Sequence, residues 1–417
     1  MTRWRGVGGE KGRASSPPFP DGRVFSGSLG WYKVGDPIGH RLAGSGAEEF
    51  PGERDTMGWQ GIDGHDDVVA RFVAAEARGR IAGTYLFIGP EGIGKGAFTK
   101  ALAKSLVCLA PRPGLIACGA CASCVQAAAG SHPDIDIVSK PDDRSTIPLE
   151  VFIGDREHRM REGLCWRILL RPALGGRKVA VILDADHLAE EGANCLLKTL
   201  EEPPDGAVII LVGTALERQL PTIRSRSQII RFSPLDTEIV RRVLAAEAID
   251  GSGPSPAAIA AAAGRSGGSI DRARLLLDPE IETIRARLLE QLAARPFNGV
   301  ELSKEVQASV EAAGKDAPPR RARLRILLGT AVDFFRAAMR RDAAGPTDPA
   351  AAPSPPDAAL VRAVNAWGGT AEDAIDGLRR TLDALDGIDR NAHLPTLVDA
   401  WSARLEPLPP PPRSVPR

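Results

Sequence analysis

Short apolar runs alternate with amphipathic stretches in the first part of the chain. The apolar runs are residues 84–88, 135–138, 179–183, 208–212 and 229–232. Runs of this length predict buried strands, and the spacing of Val68, Val69, Phe72 and Val73 ahead of the first run predicts a helix. Strands that alternate with helices predict a parallel sheet with helices on both faces.

Beyond Pro234 the strand-like runs stop and alanine-rich helical patterns begin. We therefore expect an α/β domain over residues 57–234, a small helical domain over 235–278 and an all-α domain over 279–407. Near the end of the chain, apolar residues at helical spacing predict the core of a helical bundle. They are Leu378, Leu382, Leu385, Ile388, Leu394, Leu397 and Trp401.

Three segments lack the pattern of any packed element. Residues 1–56 are rich in Gly, Pro, Ser and Arg without a sustained apolar period, which predicts a disordered tail. Residues 343–356 are rich in Pro and Ala, which predicts a flexible loop. Residues 408–417 are rich in proline and are predicted to form a second disordered tail.

Charge and composition exclude some classes of function. The chain has 417 residues, with 53 Lys and Arg against 53 Asp and Glu, so no overall positive field favours nucleic acid. Any DNA contact must be local or shared with partner proteins. No apolar run approaches the roughly 20 residues of a membrane span, and the N-terminus lacks the apolar core of a signal peptide. We therefore expect a cytoplasmic protein without a membrane partner.

A glycine-rich loop follows the first predicted strand. Residues 89–96 read Gly-Pro-Glu-Gly-Ile-Gly-Lys-Gly, and a helical pattern follows. Gly89, Gly92 and Gly94 would let backbone N–H groups surround phosphate oxygens, and Lys95 would reach the terminal phosphates. The next position needs Ser or Thr to hold Mg²⁺, but Gly96 offers no oxygen. Nucleotide binding therefore stays in doubt, and efficient hydrolysis is not expected.

A second nucleotide element is predicted where the third strand ends in Asp184, the residue type that orients magnesium. Many ATPases place a carboxylate base directly after that acid, but Ala185 cannot accept a proton here. Asp186 follows. The simpler alternative, that Asp184 and Asp186 only cap the helix that begins near Ala189, stays open.

Four cysteines lie close together in the sequence: Cys108, Cys118, Cys121 and Cys124. Four thiolates can surround Zn²⁺ tetrahedrally and leave no open position for water, so we expect a structural zinc site within residues 108–124. A redox pair and an iron–sulfur cluster are the alternatives. Cys165 and Cys195 lie in apolar helical contexts and are interpreted as buried thiols.

These motifs together resemble the clamp-loader subunits of bacterial DNA polymerase III, which belong to the AAA+ class. The resemblance runs from Trp59 to about Asp278 and continues weakly to Trp401. Its most specific segments are residues 89–95, the cysteine insertion with residues 130–134, and residues 184–188, 194–204 and 220–227. It implies a P-loop AAA+ domain with a zinc insertion, then a helical lid domain at 235–278 and an all-α collar domain at 279–407.

Within that family, the ATP-hydrolysing motors carry three residues that this chain lacks. Gly96 replaces a Thr, Ala185 replaces a Glu, and Asp271 replaces the arginine of a lid motif, with Arg272 one position late. A shift of one residue turns a side chain by about 100° around a helix. The chain thus resembles the non-hydrolysing delta-prime subunits and is not expected to have ATPase activity of its own.

The resemblance also implies a role in trans. Ser225-Arg226 resembles a motif whose arginine reaches the nucleotide of the neighbouring subunit, where it stabilises charge on the transferred phosphoryl group. The implied partners are the motor subunits and the delta-type subunit, with the sliding clamp and primed DNA contacted through the complex. The alternatives are an ATP-hydrolysing motor of gamma/tau type and a zinc-dependent nucleic-acid-binding module on an inactive P-loop scaffold.

Overall fold

The computed structural model describes residues 58–141, 144–158, 161–174, 176–247, 253–344 and 357–406. The predicted tails at 1–56 and 408–417 lie outside these ranges. The predicted loop at 343–356 also lies outside them, apart from residues 343 and 344, which end a helix.

Five parallel strands form the sheet of the α/β domain. They are β1 Thr84–Ile88, β2 Ile135–Val138, β3 Lys178–Ile182, β4 Ala207–Gly213 and β5 Gln228–Arg231, in the order β2-β3-β4-β1-β5. Every residue of β1, β3 and β4 is buried, because helices cover both faces of the sheet. The predicted parallel sheet is confirmed.

The helices of this domain are α1 Asp66–Ala77, α2 Lys95–Val107, α3 Ala122–Ala128, α4 Glu150–Ile153, α5 Leu164–Arg167, α6 Glu190–Glu201 and α7 Pro221–Arg224. Side chains of successive strand residues point to opposite faces. Phe87 thus packs with Phe72 and Phe98 in one core, whereas Leu86 packs with Leu196 in the other. The two cores fix β1, and therefore the loop that follows it, from both sides.

Two helical groups follow the sheet. The first contains α8 Thr237–Glu247, α9 Pro256–Arg265 and α10 Ile270–Leu276, with a small core of its own. The second contains α11 Pro279–Ala293, α12 Gly299–Ala312, α13 Ala317–Ala344, α14 Ala358–Ala366, α15 Ala371–Asp389 and α16 Leu394–Leu405. The helical C-terminal region is confirmed.

The predicted core face of α15 is partly wrong. Ile388 and Trp401 are buried in the bundle core as predicted, and four more predicted residues pack against it, but Leu382 is 42% exposed. The four are Leu378, Leu385, Leu394 and Leu397. The buried side of α15 instead consists mainly of small residues, namely Ala374, Gly377, Thr381, Ala384 and Ile388. A Cβ at Gly377 would lie 2.4 Å from the ring of Phe335 on α13, so the close approach of α13 requires small residues there.

Candidate nucleotide loop, trans-acting arginine and cysteine cluster

The glycine loop joins the carboxyl end of β1 to α2, which begins at Lys95. Gly92 and Gly94 have φ angles of 72° and 93°, which residues other than glycine rarely adopt. The strand, the turn and the helix therefore form the geometry that a phosphate-binding loop needs.

Lys95 turns back onto its own loop. Its Nζ donates hydrogen bonds to the carbonyl oxygens of Gly89 and Pro90, both at 2.5 Å, and the residue is only 7% exposed. Burial lowers the pKa of Lys95, while the carboxylates of Glu91, Asp186 and Asp271 act in the opposite direction. The hydrogen-bond acceptors of the Lys95 ammonium group are thus supplied by the protein itself.

Helix α10 closes over the loop. The backbone N–H of Ile270 donates to the carbonyl oxygen of Gly92 at 2.8 Å, and a Cβ at Gly92 would lie 2.3 Å from Ser269 Oγ. Burial raises the pKa of Asp271, against the charges of Arg274 and Lys95. Arg272 points away from the loop and pairs with Asp333 on α13 at 3.3 Å.

The two acids after β3 lie in different surroundings. Asp184 is exposed, and its Oδ2 accepts a hydrogen bond from the backbone N–H of Lys140 at 3.2 Å. Asp186 Oδ2 accepts from the N–H of Thr214 at 2.8 Å, and its Oδ1 accepts from the Gln219 amide. Helix α6 has Ala189 at its N-cap without a side-chain cap, so neither acid caps it. Asp186 is the one whose charge acts on Lys95.

Two positions near the loop carry no group for hydrolysis. Gly96 is the second residue of α2, and a Cβ there would meet no atom of the described residues within 4 Å. Ala185 is 4% exposed. The structure therefore has room for a side chain at Gly96 but offers no oxygen there.

Arg226 lies between α7 and β5, at the end of the sheet where the strands begin. Its Nε donates to Glu201 Oε1 at 2.6 Å, and its Nη1 donates to the carbonyl oxygen of Thr222 at 3.0 Å. The side chain is 29% exposed. The sequence did not predict Glu201 as the partner of Arg226, because no local pattern links residues 25 positions apart.

The four predicted metal ligands come together. The sulfur atoms of Cys108, Cys118, Cys121 and Cys124 all lie within 4.8 Å of one another. Cys108 and Cys121 are 4.0 Å apart, and Cys118 and Cys124 are 3.9 Å apart. Zinc–sulfur bonds of 2.3 Å in a tetrahedron imply sulfur–sulfur distances of about 3.8 Å. The cluster can therefore hold a metal ion.

Backbone N–H groups point at these sulfurs. The N–H groups of Cys118, Cys121 and Cys124 donate to the sulfurs of Cys108, Cys118 and Cys121 at 3.3–3.4 Å. Burial opposes ionisation of Cys121, but hydrogen bonds from the backbone of Cys124 and Leu109 outweigh it and lower the pKa of Cys121 to about 6. A thiolate is the form that binds metal.

A buried histidine ties this cluster to the rest of the domain. His132 Nδ1 accepts from the N–H of Asp134 at 2.9 Å, so Nε2 carries the proton and donates to Ser123 Oγ at 2.8 Å. Ser123 in turn donates to the carbonyl oxygen of Val107, the last residue of α2, at 2.7 Å. Burial lowers the pKa of His132, which favours this neutral form.

Comparisons with known proteins find similar sequences among the subunits of DNA polymerase III. A family model described as DNA polymerase III, delta subunit, matches residues 64–236. The delta' subunit of Pseudomonas aeruginosa is 38% identical over 149 residues, 36% of this chain and 42% of the relative. The delta' subunit of Yersinia pestis is 32% identical over 223 residues, 53% of this chain and 63% of the relative.

The gamma/tau subunit of DNA polymerase III from Mycobacterium tuberculosis H37Rv is 35% identical over 184 residues, 44% of this chain and 30% of the relative. The matches thus cover between 30% and 63% of the lengths of these three relatives.

The sheet and the glycine loop ahead of α2 define an α/β domain of the P-loop type. The matched sequences are subunits of DNA polymerase III, and the predicted resemblance of this chain to the delta-prime subunits is confirmed. Among the residues that the structure describes, no helix is long and apolar enough to cross a membrane.

Proposed function

We propose that this chain is a non-hydrolysing, delta-prime-type subunit of the DNA polymerase III clamp loader. It supplies Arg226 to the ATP site of a neighbouring motor subunit and helps to load the sliding clamp onto primed DNA. The observation that carries the proposal is the state of Lys95, whose ammonium group is held by the Gly89 and Pro90 carbonyls of its own loop.

The chemistry around that loop supports the same conclusion. Gly96 gives Mg²⁺ no hydroxyl ligand, and Ala185 cannot position an attacking water. The hydrogen bond from Ile270 to Gly92 holds α10 against the loop from which phosphates would be bound. The scaffold of a nucleotide site is retained, but three separate features oppose its use.

Arg226 has the chemistry for a role in trans. An arginine that reaches a neighbour's phosphoryl group stabilises the charge of the transition state, which raises the rate by roughly 10³–10⁵ in well-studied cases. Glu201, whose side chain is 49% exposed, holds the guanidinium in the isolated chain. A half-exposed ion pair contributes about 1 kcal/mol or less, so a triphosphate can displace it.

ATP turnover by the assembled complex tests this proposal. The chain is assayed alone and then with motor subunits, the delta-type subunit, clamp and primed DNA. We expect no turnover alone, and a rise on mixing that falls clearly with Arg226→Ala. Arg224→Ala, which changes an exposed arginine two residues away, is the matched control and should leave turnover unchanged. Equal turnover by Arg226→Ala and the wild-type chain would refute the role in trans.

One observation favours the motor alternative. Gamma/tau subunits match this chain at 35% identity, about as well as the delta' subunits do. If the isolated chain hydrolyses ATP and Lys95→Ala abolishes that activity, the chain is a motor and the proposal is wrong.

We also propose that the four-cysteine cluster binds one Zn²⁺ as a structural ion. Its four sulfurs lie near tetrahedral spacing and fill the coordination shell, so the ion would stabilise the segment without binding substrate. We expect one zinc per chain by elemental analysis, and its loss together with a lower thermal midpoint in Cys121→Ser. Cys195→Ser, outside the cluster, is the control and should keep the metal. A wild-type chain without metal would refute the site.

A further inference from the structure

A positively charged groove runs along one edge of the sheet, away from the nucleotide loop. It lies between the C-terminal half of α1 and the outer side of β5 and has a volume of about 350 Å³. Its charged walls are Arg71, Arg78 and Arg80, and its apolar floor includes Ala74, Ile229 and Ile230. We call these residues the arginine groove.

The three arginines have no acidic partner among the described residues. Arg71, Arg78 and Arg80 are all exposed, and no carboxylate of the described chain lies within ion-pair distance of them. Four other arginines of the described α/β domain are paired with carboxylates, as Arg167 is with Asp136 and Arg177 with Glu76. Three unpaired cations on one groove favour an acidic ligand.

The groove also offers backbone hydrogen bonds. Within the described residues, β5 pairs with β1 alone and is an edge strand of the sheet. Phe232 N–H donates to the Ile88 carbonyl at 2.7 Å, so Phe232 and Ile230 direct their backbone groups toward β1. The alternate residues, Ile229 and Arg231, therefore direct their backbone groups outward. An open edge of this kind is a template for another strand.

We propose that the arginine groove binds an extended acidic segment of the neighbouring clamp-loader subunit, which adds a strand to β5. The backbone of the segment would pair with Ile229 and Arg231, and its carboxylates would reach Arg71, Arg78 and Arg80. A nucleic-acid strand has phosphates but no backbone amides to pair with a strand edge, so the combination favours a peptide. That the partner is the neighbouring subunit rests on the proposed function, because β5 begins two residues after Arg226.

A binding assay with the full chain and a defined peptide tests the groove. The probe is a fluorescent peptide of alternating Glu and Val, followed by anisotropy at low salt. We expect binding that Arg78→Glu combined with Arg80→Glu weakens by about tenfold or more, with Arg71→Glu as an independent second variant. Arg362→Glu changes an exposed arginine of α14 that also has no ion pair among the described residues, and it should not alter binding.

Two further probes separate the contribution of backbone hydrogen bonds from that of charge. The same peptide with N-methylated valines keeps its charge but loses N–H donors, so it should bind more weakly. A short oligothymidylate carries charge without amides. If the oligothymidylate binds in the same arginine-dependent manner and the peptide does not, the groove is a nucleic-acid site and the proposal is overturned. Equal effects of Arg362→Glu and the groove variants would also overturn it, since binding would then depend on overall charge.

The assay contains no ATP, motor subunit or DNA. If the peptide does not bind, the proposed binding in the arginine groove is refuted, and the proposed role of Arg226 is unaffected. If Arg226→Ala and the wild-type chain give equal turnover, the role of Arg226 is refuted, and the peptide result is unaffected.

Discussion

A side chain would meet close atoms at Gly92 but open space at Gly96. Replacement by alanine is therefore predicted to have opposite effects at these two positions. Gly92→Ala places a methyl group at a φ of 72° and 2.3 Å from Ser269 Oγ. We expect it to lower the free energy of unfolding by about 1–3 kcal/mol. Gly96→Ala lies in open space within α2 and should raise that free energy by up to about 1 kcal/mol.

Urea unfolding of both variants measures the difference. If Gly92→Ala is as stable as the wild-type chain, the loop does not hold α10 in the way that the bond to Ile270 indicates. If Gly96→Ala is destabilised, the space beside it is not open.

The sequence predicted which residues would line the loop, because a phosphate-binding loop depends on a few adjacent residue types after a strand. It did not predict that Lys95 would bond to Gly89 and Pro90, nor that Glu201 would hold Arg226. Both contacts depend on how separate segments pack, and no short motif records that.

At the scale of elements, Ser123 joins the cysteine segment to the end of α2. Ser123→Ala leaves the Nε2–H of His132 without its acceptor, in a residue that is only 5% exposed. We expect a loss of about 1–3 kcal/mol in the free energy of unfolding, measured by urea denaturation at constant zinc. Ser131→Ala removes a hydroxyl from an exposed residue one position before His132 and is the matched control. Equal losses in the two variants would contradict this link.

Strands were predicted more accurately than helix faces. Each predicted strand overlaps an observed one to within about two residues. For β1, β3 and β4 the reason is that a fully buried strand has to be apolar along its whole length. Helix α15 shows why helix faces are harder to predict: Leu378 and Leu385 pack against the core as predicted, but Leu382 is exposed. Helix α13 approaches so closely that Ala374 and Gly377 occupy the contact. The distance between two helices cannot be derived from the spacing of one.

At the scale of the whole molecule, one carboxylate connects the α/β domain to the helical bundle. Asp389, at the end of α15, accepts hydrogen bonds from Arg218, which follows β4, and from Arg325 on α13. Gln219, next to Arg218, holds Asp186 near the nucleotide loop. A series of hydrogen bonds through adjacent residues thus runs from the bundle to Asp186 near the loop.

The charge of Asp389 predicts how this connection depends on pH. Burial raises the pKa of Asp389, but the hydrogen bonds from Arg325 and Arg218 outweigh it and hold the pKa below its ordinary value. The stabilisation is therefore complete above the unfolded pKa of about 3.9 and is lost as pH falls through the lower folded value. Asp389→Asn should lower the free energy of unfolding by about 1 kcal/mol at pH 7, and the difference from the wild-type chain should shrink below about pH 4.

Denaturant unfolding at several pH values, with Asp383→Asn as control, distinguishes charge from packing. Asp383 is an exposed residue of the same helix, and its substitution should have little effect at any pH. If the loss in Asp389→Asn stays constant down to pH 3, the side chain acts through its shape and not its charge. If both variants lose the same stability, Asp389 does not connect the two domains, and the bundle must be held in place by other contacts, such as the pair between Arg272 on α10 and Asp333 on α13.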